Sequence, residues 1–213
     1  GPVASGTSAN SGAAVTIAVG KTINFPAETF SGANAANYTS TLTCTANGGA
    51  TANTVTGGDG QAASSLVIGA NDAGKAIVCT YTNTRRSTTF RLAKSWAANS
   101  IAGNVARLAP TTGLGTNTAQ LDSTAAAAPS TDTGAFVTVY AGEVAALPVE
   151  TMPTGTLVNY NTVIACSGGT LAGGGDGQDS GNTLTVTGAS TSAAITCTYT
   201  NTRKSTTLTL RKI

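Results

Sequence analysis

The sequence contains no histidine and few charged residues, and both features limit the classes of function that the protein can have. Of its 213 residues, 11 are Lys or Arg and 9 are Asp or Glu, so charged residues make up 9% of the chain and the net charge is +2. Without histidine, Ser-His-Asp and Cys-His nucleophilic sites and His-ligated zinc are excluded, together with the commonest general base near neutral pH. The composition therefore argues against an ordinary enzyme.

Long apolar runs, basic clusters and aromatic residues are also scarce. No uninterrupted run of about 18 apolar residues is present, so we predict no membrane span. Basic residues are paired only at Arg85-Arg86 and Arg203-Lys204, and we predict no nucleic-acid binding. A binding module should show an exposed aromatic or charged cluster, but Trp96 is the only Trp and is predicted to face the core. Gly1-Pro2 resemble the residues left by an expression-tag protease and are set aside.

The strongest positive signal is an internal repeat. The segment Cys79–Thr89 returns almost unchanged as Cys197–Thr207. Earlier landmarks repeat in the same order: Val15–Gly20 as Val137–Gly142, Glu28-Thr29 as Glu150-Thr151, and Asp59–Gln61 as Asp176–Gln178.

The two copies differ at their boundaries. Residues 88 to about 122 have no counterpart before Val15, whereas Ser205–Ile213 repeats the opening strand a further time. We therefore predict a first β-sandwich repeat at 1–86 that lacks its opening strands, a complete second repeat at 87–204, and an unpaired opening strand at 205–213.

Alternation of β-branched and polar residues predicts an all-β chain of tandem Ig-like sandwiches. The alanine-rich stretch at 125–128 is interpreted as a loop because Pro129 follows it. The predicted strands are Val15–Val19, Tyr38–Thr45, Ser65–Ile68, Ile77–Asn83, Phe90–Trp96, Phe136–Tyr140, Tyr160–Cys166, Thr183–Thr187, Ile195–Asn201 and Thr207–Leu210.

Four cysteines are distributed two to a repeat. No C-x-x-C motif is present, which argues against a metal or redox site. We predict disulfides Cys44–Cys79 and Cys166–Cys197, the alternative being four buried thiols in a cytosolic protein. Such disulfides indicate a periplasm or a cell exterior.

Lys94 is predicted to point into an apolar row of side chains. An unpaired buried ammonium is costly, so such a lysine loses its proton, finds a partner or turns to solvent. A neutral lysine amine can attack an asparagine amide and release ammonia, provided that a protonated carboxyl polarises the amide and carries protons. Asn201, on the inward face of the last strand, and Glu150 are the candidate partners in this self-crosslink.

Plainer interpretations of the same residues remain open. Lys94 would extend to solvent at a strand end, Asn201 would cap an edge, and Glu150 would form a surface pair. The segments Asp59–Gln61 and Asp176–Gln178 carry too few acidic ligands for calcium, so we interpret them as turns. We predict no metal and no cofactor.

The segment Leu147–Gly155, which reads L-P-V-E-T-M-P-T-G, completes a recognisable pattern with Lys94 and with the Tyr-Thr-Asn that ends at Asn201. The pattern resembles the Cna protein B-type, or SpaA-like, prealbumin-fold domains of bacterial surface proteins. The resemblance implies a prealbumin-like sandwich and an intramolecular isopeptide bond from Lys94 to Asn201 assisted by Glu150. In the family this bond resists pulling and proteolysis in pili and adhesins.

The sequence also departs from that pattern. Leu147 lies three residues before Glu150 rather than two, and no P-x-G follows Glu28 in the first copy. Disulfides are not part of the usual pattern, so the Cys166–Cys197 bond could replace the isopeptide. The C-T-Y-T-N-T-R motif itself resembles tandem repeats in very large surface proteins of Gram-negative bacteria.

The two ends of the repeat array are complementary, because one lacks an opening strand and the other carries a spare one. The first repeat contains Glu28 and Asn83 but no lysine-bearing opening strand, whereas 205–213 carries Lys212 with no repeat behind it. Either these boundaries were cut from a longer array, or chains join head to tail by strand addition. In the second case Lys212, Asn83 and Glu28 form an intermolecular counterpart of the crosslinking set.

Together these features predict a non-enzymatic stalk or fibre module of a bacterial surface or secreted adhesin. Its partners would be neighbouring repeats of the same protein. The alternatives are a subunit of a filament built by strand donation, and a glycan- or ligand-binding adhesive module.

Overall fold

The computed structural model describes residues 13–31, 34–46, 49–50, 55 and 58–212. Within these ranges the chain is built from β-strands and short 3-10 helices, so the all-β prediction is confirmed. The 3-10 helices are Ala35–Asn37, Ala70–Asp72, Leu157–Asn159 and Ala189–Ser192. The strands are β1 (Thr22–Phe25), β2 (Tyr38–Ala46), β3 (Gly49–Ala50), β4 (Ser64–Val67), β5 (Ile77–Arg85), β6 (Ser87–Trp96), β7 (Val105–Leu108), β8 (Leu121–Thr124), β9 (Ser130–Thr133), β10 (Val137–Tyr140), β11 (Val144–Ala146), β12 (Thr151–Thr154), β13 (Tyr160–Cys166), β14 (Thr170–Ala172), β15 (Thr183–Thr185) and β16 (Ile195–Arg203).

The chain divides into two compact units, which we call unit 1 (Gly1–Arg85) and unit 2 (Arg86–Ile213). In unit 2 the main sheet has the order β10-β6-β16-β13, and β9 also pairs with β6. Two smaller sheets have the orders β12-β7-β8 and β11-β15-β14. The closing strand β16 is antiparallel to β13 and parallel to the opening strand β6, so the first and last strands of the repeat are neighbours.

The interior of unit 2 contains two apolar clusters. The larger one includes Phe90 and Leu92 of β6 and Tyr199 of β16, and the smaller one contains Trp96, whose ring meets Tyr160 edge to face at 5.6 Å. Each large aliphatic or aromatic side chain buried in this way contributes about 1.5–3 kcal/mol. The alternating pattern of β6 and β16 thus gives the inward faces that their sequences predict.

Unit 1 repeats part of this arrangement. Its sheets have the orders β3-β2-β5 and β1-β4. The pair β2–β5 has the same register as β13–β16, since Ser40 lies opposite Asn83 and Thr162 lies opposite Asn201. The sequence repeat is therefore also a structural repeat.

Two predicted strands are wrong. Residues 13–19 contain no strand, although their counterpart in unit 2 is β10. The reason is that β10 pairs with β6, and the described residues of unit 1 hold no strand equivalent to β6. Likewise Ser205–Lys212 forms no strand and is exposed, because an isolated strand has no ladder to join. Ile213 lies outside the described residues.

Candidate functional site

Lys94, Glu150 and Asn201 lie together in the interior of unit 2. Lys94 is on β6 and Asn201 is on β16, and the register of these parallel strands places Lys94 beside Tyr199 and Trp96 beside Asn201. Because neighbouring residues in a sheet project to the same side, the lysine and the asparagine share one face. Glu150 immediately precedes β12.

A single carboxylate joins the amine to the amide. The Nζ of Lys94 lies 3.1 Å from Oε2 of Glu150, and Nδ2 of Asn201 donates a 2.6 Å hydrogen bond to Oε1 of the same group. The exposed fractions of Lys94, Glu150 and Asn201 are 0%, 1% and 0%. The plainer interpretation, in which these residues lie at the surface, is therefore wrong, since none of the three side chains reaches solvent.

The surroundings of Lys94 favour loss of its proton. Its Nζ lies 4.8 Å from the centre of the Trp96 ring and 3.4 Å from the carbonyl oxygen of Tyr199, to which it donates. Burial removes the hydration of the ammonium and outweighs the attraction of Glu150, which lowers the pKa of Lys94 from 10.5 to about 8. The neutral, nucleophilic amine is thus much easier to form here than on an exposed lysine.

Thr162 is a member of the site that the sequence did not single out. Its hydroxyl donates a 2.7 Å hydrogen bond to Oδ1 of Asn201 from the adjacent strand β13. A donor on this oxygen polarises the amide carbonyl and stabilises negative charge that develops there. In a threonine-rich sequence Thr162 does not stand out as a site residue. Its alignment with Ser40 in the other repeat, however, marks a position at which both repeats carry a hydroxyl group.

The Asp-Gly-Gln turn fixes the position of Glu150. The backbone N–H of Glu150 donates to the carbonyl of Gly177 at 2.8 Å, and the side chain of Gln178 donates to the carbonyl of Tyr160 at 2.8 Å. A Cβ on Gly177 would lie 2.5 Å from Cγ2 of Thr162, so the close approach requires glycine. The motif is a turn, as predicted, and it positions the carboxyl group.

This arrangement suits transfer of an amide from one nitrogen to another. The attacking nitrogen of Lys94 and the leaving nitrogen of Asn201 contact different oxygens of Glu150. The carboxyl group can therefore take protons from the first nitrogen and deliver them to the second. Thr162 donates to the carbonyl oxygen on which such an attack would place negative charge.

Unit 1 contains a glutamate–asparagine pair equivalent to Glu150 and Asn201, with no lysine beside it among the described residues. Asn83 donates through Nδ2 to Oε1 of Glu28 at 2.8 Å, and Ser40 donates its hydroxyl to Oε2 of Glu28 at 3.0 Å. Glu28 is half-buried and Asn83 is exposed, in contrast to their buried counterparts. Lys212, the candidate lysine for this pair, lies in the exposed segment that follows β16.

A comparison with protein families identifies the fold family of the chain. A family model described as a prealbumin-like fold domain matches residues 3–85 and 95–203, which is most of the chain. The chain belongs to this family of prealbumin-like fold domains. No curated protein and no solved structure matches it. The resemblance to SpaA-like prealbumin repeats inferred from the sequence is confirmed.

Membership of the prealbumin-like family indicates a structural module of the pilin or adhesin type. Domains of this SpaA-type family are structural and non-enzymatic. Within the described ranges, no helix is long and apolar enough to cross a membrane. No cluster of three or more His, Cys, Asp or Glu that could hold a metal occurs in the same part of the chain.

Both predicted disulfides of the prealbumin-like chain are present. Cys44–Cys79 links β2 to β5, and Cys166–Cys197 links β13 to β16. In each case the cysteines are directly opposite each other in an antiparallel ladder. Together with the family, the disulfides indicate an extracellular or surface protein.

The lowered pKa of Lys94 has a consequence for stability in the variant Asn201→Ala, which cannot crosslink. Above about pH 8 the folded chain has released the Lys94 proton, whereas the unfolded chain holds it until about pH 10.5. The unfolded state then binds more protons, so the free energy of unfolding should rise with pH, by at most about 1.4 kcal/mol per pH unit. Urea denaturation across this window measures the rise.

The control for this prediction is a variant without the ionisable pair. Lys94→Met with Glu150→Leu, in the Asn201→Ala background, should lack the rise. Near pH 10 the raised pKa of buried Tyr199 opposes the trend, because the tyrosine ionises only in the unfolded chain. If the free energy of unfolding changes with pH in the same way for the two variants between about pH 8 and pH 10, Lys94 keeps an ordinary pKa.

Proposed function

We propose that this chain is a force-resisting structural segment of an extracellular or cell-surface fibre or adhesin. An amide bond between Lys94 and Asn201 would join the opening strand β6 of unit 2 to its closing strand β16. The observation that carries the proposal is the buried Glu150 carboxylate, which contacts the amine at 3.1 Å and the amide nitrogen at 2.6 Å.

The proposed reaction needs no cofactor and balances without an oxidant. The Lys94 ammonium passes a proton to Glu150, and the neutral amine attacks Cγ of Asn201. The tetrahedral intermediate loses the Cγ–Nδ2 bond after Glu150 protonates Nδ2. Overall the lysine nitrogen gives up two of its three protons and the leaving nitrogen takes both, so an isopeptide forms and ammonium departs.

The position of the bond explains how such a module would act. Force enters unit 2 through β6 and leaves it through β16, and these strands are adjacent and parallel. A covalent bond between them carries the force past every residue between Lys94 and Asn201. Neighbouring repeats of the same protein are the natural partners of such a segment.

The intact mass of the denatured, fully reduced chain tests this function. We expect the monomeric species to be lighter than the sequence by one ammonia, and fragmentation should join Lys94 to Asn201. The variants Lys94→Arg and Asn201→Ala should each restore the full mass. Asn83→Ala is the matched control, because it removes the equivalent asparagine of unit 1 and should leave the loss within the monomer unchanged. An unshifted mass of the wild-type monomer would contradict the proposal.

A further inference from the structure

The closing strand of unit 1 has an unpaired edge. In unit 2, β16 lies between β13 and β6, whereas β5 pairs with β2 and has no second neighbour among the described strands of unit 1. The exposure of the two strands differs accordingly. Ile195, Cys197, Tyr199 and Asn201 are fully buried, but in the same positions Ile77, Cys79 and Tyr81 are half-buried and Asn83 is exposed.

A second segment of unit 1 lacks the same neighbour. In unit 2, β10 pairs with β6 from the side opposite β16. Its counterpart Val15–Val19 forms no strand, and Val15, Ile17 and Val19 are 77%, 37% and 48% exposed. One added strand between this segment and β5 would supply what β6 supplies in unit 2.

The segment Ser205–Lys212 has the sequence that this position requires. It reads S-T-T-L-T-L-R-K, and Ser87–Lys94 of β6 reads S-T-T-F-R-L-A-K. Its apolar side chains are not packed against the rest of the chain, since Leu208 is 86% and Leu210 is 91% exposed. In the register of β6 and β16, Leu208 would lie beside Ile77, Leu210 beside Cys79 and Lys212 beside Tyr81.

Unit 1 already presents the other two groups of the crosslinking site. Glu28 accepts from Asn83 at 2.8 Å, as Glu150 does from Asn201. Its second oxygen, which corresponds to the atom that receives Lys94, accepts instead from the hydroxyl of Ser40. A lysine arriving in the register above needs only to take over this hydrogen bond.

The direction of the strands separates the two points at which the chain enters and leaves unit 2. Because β16 is parallel to β6, Arg203 lies at the end of the sheet opposite Arg86, where unit 2 begins. Only Lys204 separates β16 from the segment, and its backbone N–H is held by the carbonyl of Asn159 at 2.9 Å. The segment thus leaves unit 2 directly after β16, at the end of the main sheet opposite to the end at which β6 begins.

We propose that Ser205–Lys212 of one copy enters unit 1 of a second copy as a β-strand, and that Lys212 then forms an amide bond with Asn83. The inference rests on the amide chemistry of the proposed function. The ammonium of Lys212 first passes a proton to Glu28, and the neutral amine then attacks Cγ of Asn83. The Cγ–Nδ2 bond breaks, and in all Glu28 carries two protons from the lysine nitrogen to the leaving nitrogen, which departs as ammonium. Repetition of this step gives a covalent head-to-tail polymer.

A mixture of two full-length variants tests this joining. Lys212→Arg keeps the charge and the acceptor but lacks the reactive amine, and Asn83→Ala keeps the donor but lacks the acceptor. The wild-type chain should give a ladder of bands on a reducing, denaturing gel. Each variant alone should remain monomeric, and the mixture should give a single covalent dimer with no longer products.

Mass spectrometry of the mixture locates the bond. The dimer should contain one intermolecular link, between Lys212 of the Asn83→Ala chain and Asn83 of the Lys212→Arg chain, with the loss of one ammonia. Absence of any covalent dimer would overturn the inference, and so would a Lys212–Asn83 bond within one wild-type chain. Both substitutions lie on exposed positions, so both variants should fold.

The same spectra separate this inference from the proposed function. If the Lys212→Arg monomer has lost one ammonia through Lys94 but forms no dimer with its partner variant, only the intermolecular joining fails. If neither the monomer nor the mixture loses ammonia, the amide chemistry itself fails and both proposals are wrong.

Discussion

Pulled from its two ends under reducing conditions, the wild-type chain should release almost no length from unit 2, whereas Asn201→Ala should release a large extension. The region between Lys94 and Asn201 contains about 105 residues, which at about 3.3–3.6 Å each correspond to roughly 350–380 Å of extended chain. The amide bond would exclude all of this chain from the path of the force. Single-molecule force spectroscopy measures the difference directly.

Reducing conditions are needed because the Cys166–Cys197 disulfide closes a loop inside the same region and would shorten the extension of the variant. Asn83→Ala is the control, since unit 1 has no lysine in the described residues beside its Glu28–Asn83 pair. It should leave the extension of unit 2 unchanged. A wild-type chain that releases the full length of unit 2 would rule out the covalent closure.

A strand can be predicted from the sequence when its own residue pattern determines it, and cannot when its partner strands determine it. The strands β2, β5, β6, β13 and β16 were predicted because they are long, alternate strictly and occur in two copies. The short strands β7, β8 and β9 were missed, because their four-residue segments carry little periodicity and are fixed by the partners they find. The failure at Val15–Val19 has the same origin, since its sequence matches β10 but its partner strand is missing.

The candidate site was predictable where a residue contradicted its surroundings. A lysine in an apolar row demands an explanation, so Lys94 could be found from the alternation alone, and the inward face of β16 then gave Asn201. The distance from Glu150 to either residue could not be derived, because it depends on the turn at Gly177. Thr162 was missed because its role follows from cross-strand register and leaves no trace in composition.

The role of Glu150 also predicts a large loss of stability that does not depend on the crosslink. In the Asn201→Ala background no amide bond can form, and the buried Lys94–Glu150 pair remains. Glu150→Ala then leaves the ammonium of Lys94 without a counter-ion in an interior where its exposed fraction is 0%. We expect this change to lower the free energy of unfolding of unit 2 by about 3–5 kcal/mol, as measured by urea denaturation.

Three further variants in the same background decide whether the buried charge is the cause. Glu28→Ala removes the equivalent glutamate of unit 1, which has no lysine partner in the part of the chain that the structure describes. Asp122→Ala removes the partner of Arg107 in an ion pair whose side chains are 43% and 42% exposed. Both should change stability little, because solvent already screens these groups. Adding Lys94→Met to Glu150→Ala should recover part of the loss, since the unpaired ammonium is then gone. If the double substitution is no more stable than Glu150→Ala, the loss comes from the packing or hydrogen bonds of Glu150, and Lys94 carries no buried charge that needs it.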